Sequence, residues 1–581
     1  MSDGTAHPWW QDAVVYQVYP RSFLDSNGDG VGDLPGIISK LDYIASLGVD
    51  VIWLNPVYES PNVDNGYDIA DYRAIMPEFG TMADWERLLE EMHARGLRMV
   101  MDLVVNHTSD QHAWFTAARG DPAGPYREYY VWREGRGADG HEPPNNWESF
   151  FGGPAWEWDS STRMYYLHLF APEQPDLNWE HPPVRREIYD MMRWWFDKGV
   201  DGFRMDVINL ISKDQRFPDD PAPKAQYRPG SQYFINGPRV HEFLREMRRE
   251  VLNDYDVMTV GECIGAGVED ALRFTNLDGS ELNMLIHFEM MELDHGPGGK
   301  WDIVPLRPDV LRECETRWQE GVDGRAWVAN YLSNHDQPRP VSRFGDDGRY
   351  RLESAKMLAV LNMCRQGTPF VFAGEEIGMT NVAFPRIEDY RDVETLNHYA
   401  AGRARGRDPE ELLREIHLMS RDNGRTPMQW DDSTNAGFTT GTPWIGVNPN
   451  YTSINVAAAE TDSDSILHFY RRLIALRREL PPLRYGSFLR RDAAAGEDGT
   501  FAFERRLGED AVLVVLNLTA DPAIGVEVPA HRTLLLANYG PASAPDRAGA
   551  AASTEDIEID AHGLDGRGHL RPFEARIYEV G

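Results

Sequence analysis

Cysteine and lysine are the scarce residues of this chain. Three cysteines, Cys263, Cys314 and Cys364, occur in 581 residues. That is too few for a disulfide framework, and an odd number leaves one thiol unpaired. No apolar run reaches the roughly 18 residues that a bilayer span requires. The opening MSDGTAHPWWQDAVVYQVYP has no basic stretch followed by an apolar one, so it does not read as a secretory leader. A reducing cytoplasm is the expected location. Lysine appears six times, and 58 Lys+Arg face 93 Asp+Glu for a formal net charge of −35. A surface so acidic argues against nucleic acid or an anionic membrane as partner. A neutral substrate is not excluded by it, and the choice between monomer and homodimer stays open.

Short runs rich in Val, Ile, Tyr and Phe alternate with helical patterns, the signature of βα units. Strands are expected at 14–19, 49–54, 97–105, 200–206, 256–262, 283–288, 328–334 and 368–374. Eight such units predict an α/β fold, a (β/α)8 TIM barrel, which tolerates insertions well beyond its usual length. Residues 107–178 are rich in Trp, Gly, Pro and Asn and too long for a bare loop, so a small inserted domain is expected there. The barrel would then occupy 1–106 and 179–481. From 482 to 581 the runs turn short and alternating, predicting a C-terminal antiparallel β-sandwich domain. Within it, PASAPDRAGAAAS reads as a low-complexity surface loop.

Four of the barrel strands run directly into an acid. They are MVMDLVVNH with Asp102, VDGFRMD with Asp206, VMTVGE with Glu262 and YLSNHDQ with Asp336. A TIM barrel assembles its active site at the C-terminal ends of its strands, so these groups are expected to converge. Cleaving an acetal needs a carboxylic acid to protonate the leaving oxygen and a carboxylate to meet the developing cation. Asp206 and Glu262 end adjacent strands and can face each other. Arg204, two residues before Asp206, shares its strand face and is expected to keep Asp206 ionised. Desolvation of Glu262 would raise its pKa toward that of a useful acid.

The segments DLVVNH, GFRMDVIN, TVGE and SNHDQ resemble the four signature regions of the α-amylase superfamily, glycoside hydrolase family 13. QPDLN (174–178), GDLPGI (32–37) and GEEIGM (374–379) resemble regions of its oligo-1,6-glucosidase and α-glucosidase branch, and the similarity runs nearly the whole chain. The resemblance implies Asp206 as nucleophile, Glu262 as acid/base and Asp336 as the third acid, stabilising the transition state. It implies retention of configuration through a covalent glycosyl-enzyme, with the two reacting carboxyls about 5–5.5 Å apart. His107 and His335 would bind hydroxyls of the first sugar, with Asp102 in support. Asp64, Tyr67 and Arg421 would close the pocket behind that sugar, and Phe151, Phe170 and Gln174 would shape its walls. A closed pocket implies exo-action on short oligosaccharides.

The loop Asp25-Ser-Asn-Gly-Asp29-Gly-Val-Gly-Asp33 puts oxygen-bearing side chains at alternate positions, suited to a hard cation. Gly36 at its twelfth position rules out an EF-hand. The loop resembles the calcium loop of the branch, implying Asp25, Asn27, Asp29, Asp33 and the Val31 carbonyl as ligands of a structural Ca2+. No organic cofactor is implied. Val207, directly after the nucleophile, accompanies α-1,6 preference in this branch, which implies isomaltose, panose and isomalto-oligosaccharides as substrates. Maltose-type α-1,4 hydrolysis, transglucosylation and the isomerisation carried out by sucrose isomerases or trehalose synthases use the same intermediate and stand as alternatives. The Arg-Leu-Asp-Arg-Asp loop of sucrose isomerases is missing between Glu262 and Asp336.

Overall fold

The computed structural model describes residues 7–221, 228–491, 499–527, 529, 531–539 and 567–580. The low-complexity stretch PASAPDRAGAAAS lies outside them. Eight parallel strands form one sheet: β1 (Val15–Val18), β2 (Val51–Leu54), β3 (Arg98–Val104), β4 (Gly202–Asp206), β5 (Met258–Cys263), β6 (Met284–His287), β7 (Ala329–Asn330) and β8 (Thr368–Phe372). Their order is β6-β5-β4-β3-β2-β1-β8-β7, and a parallel bridge between Leu285 and Val328 closes the ring. Parallel strands inside a helical shell are covered on both faces, and apart from the first residue of β3 every strand position is buried. The seventh strand is shorter than its apolar run suggests, because the chain leaves the sheet after Asn330 and carries Ser333 to Asp336 into the barrel mouth.

Helix boundaries follow local chemistry. The helix Met82–Ala94 starts at a capping box between Thr81 and Asp84. Pro182–Asp197 begins with proline in its first turn and ends before Gly199, whose φ of 103° suits glycine alone. Its buried stripe of Val184, Ile188, Met191, Met192 and Trp195 packs onto the barrel, with Trp195 edge-on to Trp85 at 4.7 Å. Gly202 is required by a close approach: a Cβ there would stand 2.2 Å from the Met258 carbonyl oxygen. This glycine lets β4 and β5 pair with Val260 opposite Arg204 and Gly261 opposite Met205. One further step of that register sets Glu262 beside Asp206.

Between β3 and β4 lies a three-stranded antiparallel sheet of Trp132–Arg133, Met164–Leu167 and Trp156–Asp159. At the C-terminal end, a five-stranded antiparallel sheet runs in the order Ser487–Arg491, Thr500–Leu507, Asp510–Asn517, Ala575–Val580, Arg532–Ala537. Strand alternation divides its side chains between two cores. Phe501, Phe503, Val512, Val514 and Leu516 join the barrel core. Ala502, Leu513 and Val515 pack against Val526 and Leu570 of a second, two-stranded layer.

Two fully buried arginines cap carbonyls at this junction with no carboxylate in hydrogen-bond contact. Arg505 fastens the sheet to the barrel, and Arg477, on the helix Ile466–Glu479, fastens that helix to the barrel and to the turn before the sheet. Arg477 donates to the carbonyls of Met363 at 2.7 Å, Leu483 at 2.8 Å and Gly367 at 2.7 Å. Arg505 donates to Cys364 at 3.0 Å and to Gly486 at 3.2 Å. Met363 and Cys364 end the helix Arg351–Cys364, where carbonyls lack intrahelical partners.

Candidate active site

Arg204 stands at the centre of the barrel mouth. Its Nη1 donates to Asp206 Oδ1 and to Asp102 Oδ1, each at 2.7 Å, and its Nη2 lies 2.5 Å from Glu262 Oε1. One fully buried guanidinium therefore stands between the two acids expected to react. The other oxygen of Glu262 accepts the backbone N–H of Val207 at 3.1 Å. Asp102 is buried behind them and accepts from Trp53 Nε1 at 2.8 Å and from the Tyr67 hydroxyl at 3.3 Å.

Burial governs the proton affinity of this group, and here the structure departs from the sequence expectation. Arg204 was expected to keep Asp206 ionised. Burial outweighs it and pushes Asp206 up to about 7, with Arg204 opposing and Asp102 and Asp336 assisting. Glu262 is pushed further, to about 8, by burial against the pull of Arg204, and then by the charges of Asp206 and Asp336. The order is what the chemistry needs: the acid holds its proton above the pH at which the nucleophile loses its own.

Asp336 is the most open of the three acids, its side chain 26% exposed against 9% for Asp206 and 5% for Glu262. Burial opposes its ionisation, yet His335, Arg421 and Arg425 hold it well below the usual carboxylate range. Burial pushes His335 down to about 4, so near neutrality the two arginines carry that effect. Arg421 Nη1 and Arg425 Nη2 reach Asp336 Oδ1 at 3.1 and 2.8 Å. Nδ1 of the neutral His335 ring faces the side-chain amides of Gln17 at 2.9 Å and Asn55 at 3.1 Å, so it is the acceptor nitrogen and Nε2 bears the proton. Tyr67 stacks on His335 with centroids 5.0 Å apart and planes 4° from parallel.

Asp64 and Arg421 meet at 3.1 Å, both buried, and Gln174 Nε2 approaches the other oxygen of Asp64 at 3.3 Å. The Arg421 guanidinium covers the Phe151 ring at 4.9 Å, and Phe151 touches Phe170, which lies 5.1 Å from His107. All the residues expected to form the pocket thus gather on one side of the barrel mouth. His107 is neutral, pushed down to about 4 by burial. Its Nε2 lies 3.1 Å from the Tyr67 carbonyl, and its Nδ1 faces the Asn106 amide at 3.2 Å.

With this geometry in hand, likeness to known proteins becomes specific. A model of the alpha amylase catalytic domain matches residues 17–486. The chain belongs to the alpha-amylase family. Among curated relatives, an oligo-1,6-glucosidase of Parageobacillus thermoglucosidasius is 55% identical over 98% of this chain and 99% of its own length. A trehalose-6-phosphate hydrolase of Bacillus subtilis (strain 168) is 50% identical over 88% and 90%. Of solved structures, the trehalulose synthase MutB of Pseudomonas mesoacidophila MX-45 superimposes with a TM-score of 0.90 at 43% identity, covering 99% of this chain and all of that one.

Several groups at the site of this alpha-amylase family member escaped the sequence reading. Arg425 sits four residues after Arg421 on one helical turn, inside the motif SRDNGRT, and that i, i+4 spacing was the available signal. Asp392 is completely buried and lies 2.6 Å from Arg421 Nη2, while its own oxygens cap the helix Val393–Ala404 at Glu394 and Thr395. Nothing local marks it. Lys213, one of six lysines, is buried with Nζ 2.7 Å from Asp176 Oδ2 and 2.8 Å from Asn106 Oδ1. It ties the segment after β4 to the end of β3 and to the return from the inserted sheet.

The loop expected to hold calcium closes on itself. Asp25 accepts from the amides of Asn27, Gly28 and Gly30 and from the Thr439 hydroxyl. Asn27 accepts from Asp29 N at 2.8 Å and Asp29 from Val31 N at 2.9 Å. Asp33 caps Gly36 at 2.6 Å and receives Ser26 Oγ at 2.8 Å. Among the described residues no three His, Cys, Asp or Glu side chains are grouped as cation ligands. Asp25 spends both of its oxygens on its four donors. Asn27 Oδ1, Asp29 Oδ1 and Asp33 Oδ1 each accept only one and keep the second lone pair that a hard cation would use.

Proposed function

We propose that this protein is a retaining exo-α-glucosidase that releases glucose from the non-reducing end of short α-glucosides, preferring α-1,6 links as in isomaltose, panose and isomalto-oligosaccharides. The observation that carries this reading is the single guanidinium of Arg204 between Asp206 and Glu262. Asp206 attacks the anomeric carbon while Glu262 gives its proton to the departing glycosidic oxygen, forming a C1–O ester as the C1–O link to the aglycone breaks. Water then attacks C1, Glu262 takes the proton back, and the ester bond to Asp206 breaks with configuration retained. Asp336, kept anionic by Arg421 and Arg425, faces the positive charge that develops on the sugar in the transition state of each step.

The cluster Asp64–Arg421–Asp392 favours exo-action, because an ion-paired wall leaves no path past the first sugar. Val207 and the 55%-identical oligo-1,6-glucosidase favour the α-1,6 link. Likeness to a trehalulose synthase favours a second reading, transfer to another sugar instead of water. The trehalose-6-phosphate relative raises a phosphorylated substrate, which a chain of net charge −35 disfavours. Three buried, unpaired cysteines support a cytoplasmic setting.

The test is kcat/KM on isomaltose, maltose, sucrose, trehalose and trehalose 6-phosphate, with product anomers followed by NMR. Isomaltose should rank first, with α-glucose appearing before mutarotation. A higher value for maltose overturns the linkage assignment, and isomerised disaccharide as main product overturns hydrolysis. Asp206→Asn should lose nearly all turnover. We also infer a structural Ca2+ in the loop of Asp25, Asn27, Asp29, Asp33 and the Val31 carbonyl. Chelation should lower Tm and added Ca2+ restore it; no bound metal and an unmoved Tm would dismiss the ion.

A further inference from the structure

The turn that follows the nucleophile has a backbone that few sequences would choose. Val207 has φ 36° and ψ 40°. Among the described residues it is the only β-branched one in the left-handed region, where such side chains are genuine outliers. Strain of this kind persists only when the surroundings impose it. Two sets of contacts do so. The Val207 side chain is buried in a cluster with Val131, Trp147, Leu210, Phe217 and Phe234. Leu210 N donates to the Val207 carbonyl at 2.9 Å, closing the turn.

The result of the strain is aim: the Val207 N–H points at Glu262 Oε2, 3.1 Å away. The next polar residue completes the grip. Asn209 is fully buried, and its side chain makes a reciprocal pair with Ile264, two residues beyond Glu262. Nδ2 donates to the Ile264 carbonyl at 2.8 Å and Oδ1 accepts the Ile264 N–H at 3.2 Å. A third bond, from Nδ2 to Asn236 Oδ1 at 2.9 Å, holds the amide in place. The β4 turn therefore clasps the β5 end at its backbone and at its carboxyl. With Arg204 on Oε1, both oxygens of Glu262 have a fixed partner.

We propose that Val207 and Asn209 are positioning residues for the proton donor: the strained turn and the Asn209–Ile264 clasp set the plane of the Glu262 carboxyl. This rests on the reading of Glu262 as acid/base. It gives Val207 a role in catalysis besides shaping the space for the second sugar.

A misaimed acid harms only leaving groups that need a proton. Isomaltose expels an alkoxide and needs one; α-glucosyl fluoride expels fluoride and does not. Because kcat/KM reports the first bond cleavage, the ratio of the two substrates isolates the acid. Asn209→Ala should lose about 30-fold or more on isomaltose and less than about threefold on the fluoride, within the span general acid catalysis covers. Val207→Gly keeps the amide and accepts the φ but drops the side-chain anchor, and should fall between. Activity on the fluoride, with Tm, shows that each variant is folded. Equal losses on both substrates, or none on either, overturn the proposal. Glu262→Ala separates it from its premise. If that variant shows no leaving-group split, the acid/base assignment fails; if it does and Asn209→Ala does not, the positioning role fails.

Discussion

Asp206 and Glu262 share Arg204, so the proton affinity of each depends on the charge of the other. Catalysis needs Asp206 ionised and Glu262 protonated. With Asp206 pushed to about 7 and Glu262 to about 8, kcat/KM should fall as pH drops below the first and as it rises above the second. Both limbs then lie well above the range of ordinary carboxyls. Asp102 supplies a directional check. Its charge raises Asp206, and it competes for Arg204 Nη1 at 2.7 Å. Asp102→Asn removes that charge, so the acidic limb should move to lower pH in a kcat/KM profile on isomaltose. An unmoved limb would mean that Asp102 holds Trp53 and Tyr67 and does no electrostatic work on the nucleophile. At this scale the sequence was informative where an acid ends an apolar strand, as at Asp206 and Glu262. It was silent on Asp392 and Gln17, whose partners are brought to them by other strands and loops.

At the scale of elements, the C-terminal sheet is bound by carbonyl capping. Arg505 carries buried positive charge with no carboxylate in hydrogen-bond contact, and burial pushes it down to about 9 against the weaker pull of Asp323. Its value lies in the Cys364 and Gly486 carbonyls it satisfies. Arg505→Met keeps the bulk and leaves these acceptors without a partner, a loss of about 3–6 kcal/mol for two bonds to a charged donor. Chemical denaturation should show that loss, with kcat on isomaltose within about twofold of the parent at 25 °C. A change under about 0.5 kcal/mol would mean that removing the charge's desolvation cost offsets the broken bonds. The strand runs were legible here because their alternation is local. Arg505 was not: nothing local in TFAFERR marks its buried role, which comes from the register that sets its guanidinium against the helix Arg351–Cys364.

Across the whole molecule, buried carboxyls set the pH dependence of stability. Asp206, Glu292 and Glu375 are pushed to about 7 and Glu262 to about 8, in each case first by burial. The unfolded chain has already released these protons near pH 4, so the folded state binds more protons between there and about 8. Stability therefore falls as pH rises through that window. Buried histidines such as His107, His112, His295 and His335, held at about 4, are neutral in the fold but still about half-protonated in the unfolded chain at pH 6.5. They offset part of this fall up to about pH 7.5. The larger carboxyl effect prevails, and a net charge of −35 adds repulsion in the same direction. Calorimetry should find Tm lower at pH 8.5 than at 6.5; a rising Tm would refute the burial argument. What the sequence by itself determined is whatever local pattern encodes: eight buried strands, the acids at their ends, and an alternating C-terminal sheet. Only the tertiary structure decided how those acids are charged, which arginine serves which carboxylate, and that a strained valine turns its amide onto Glu262. Those depend on desolvation and on contacts between residues far apart in the chain, and neither quantity exists until the barrel closes.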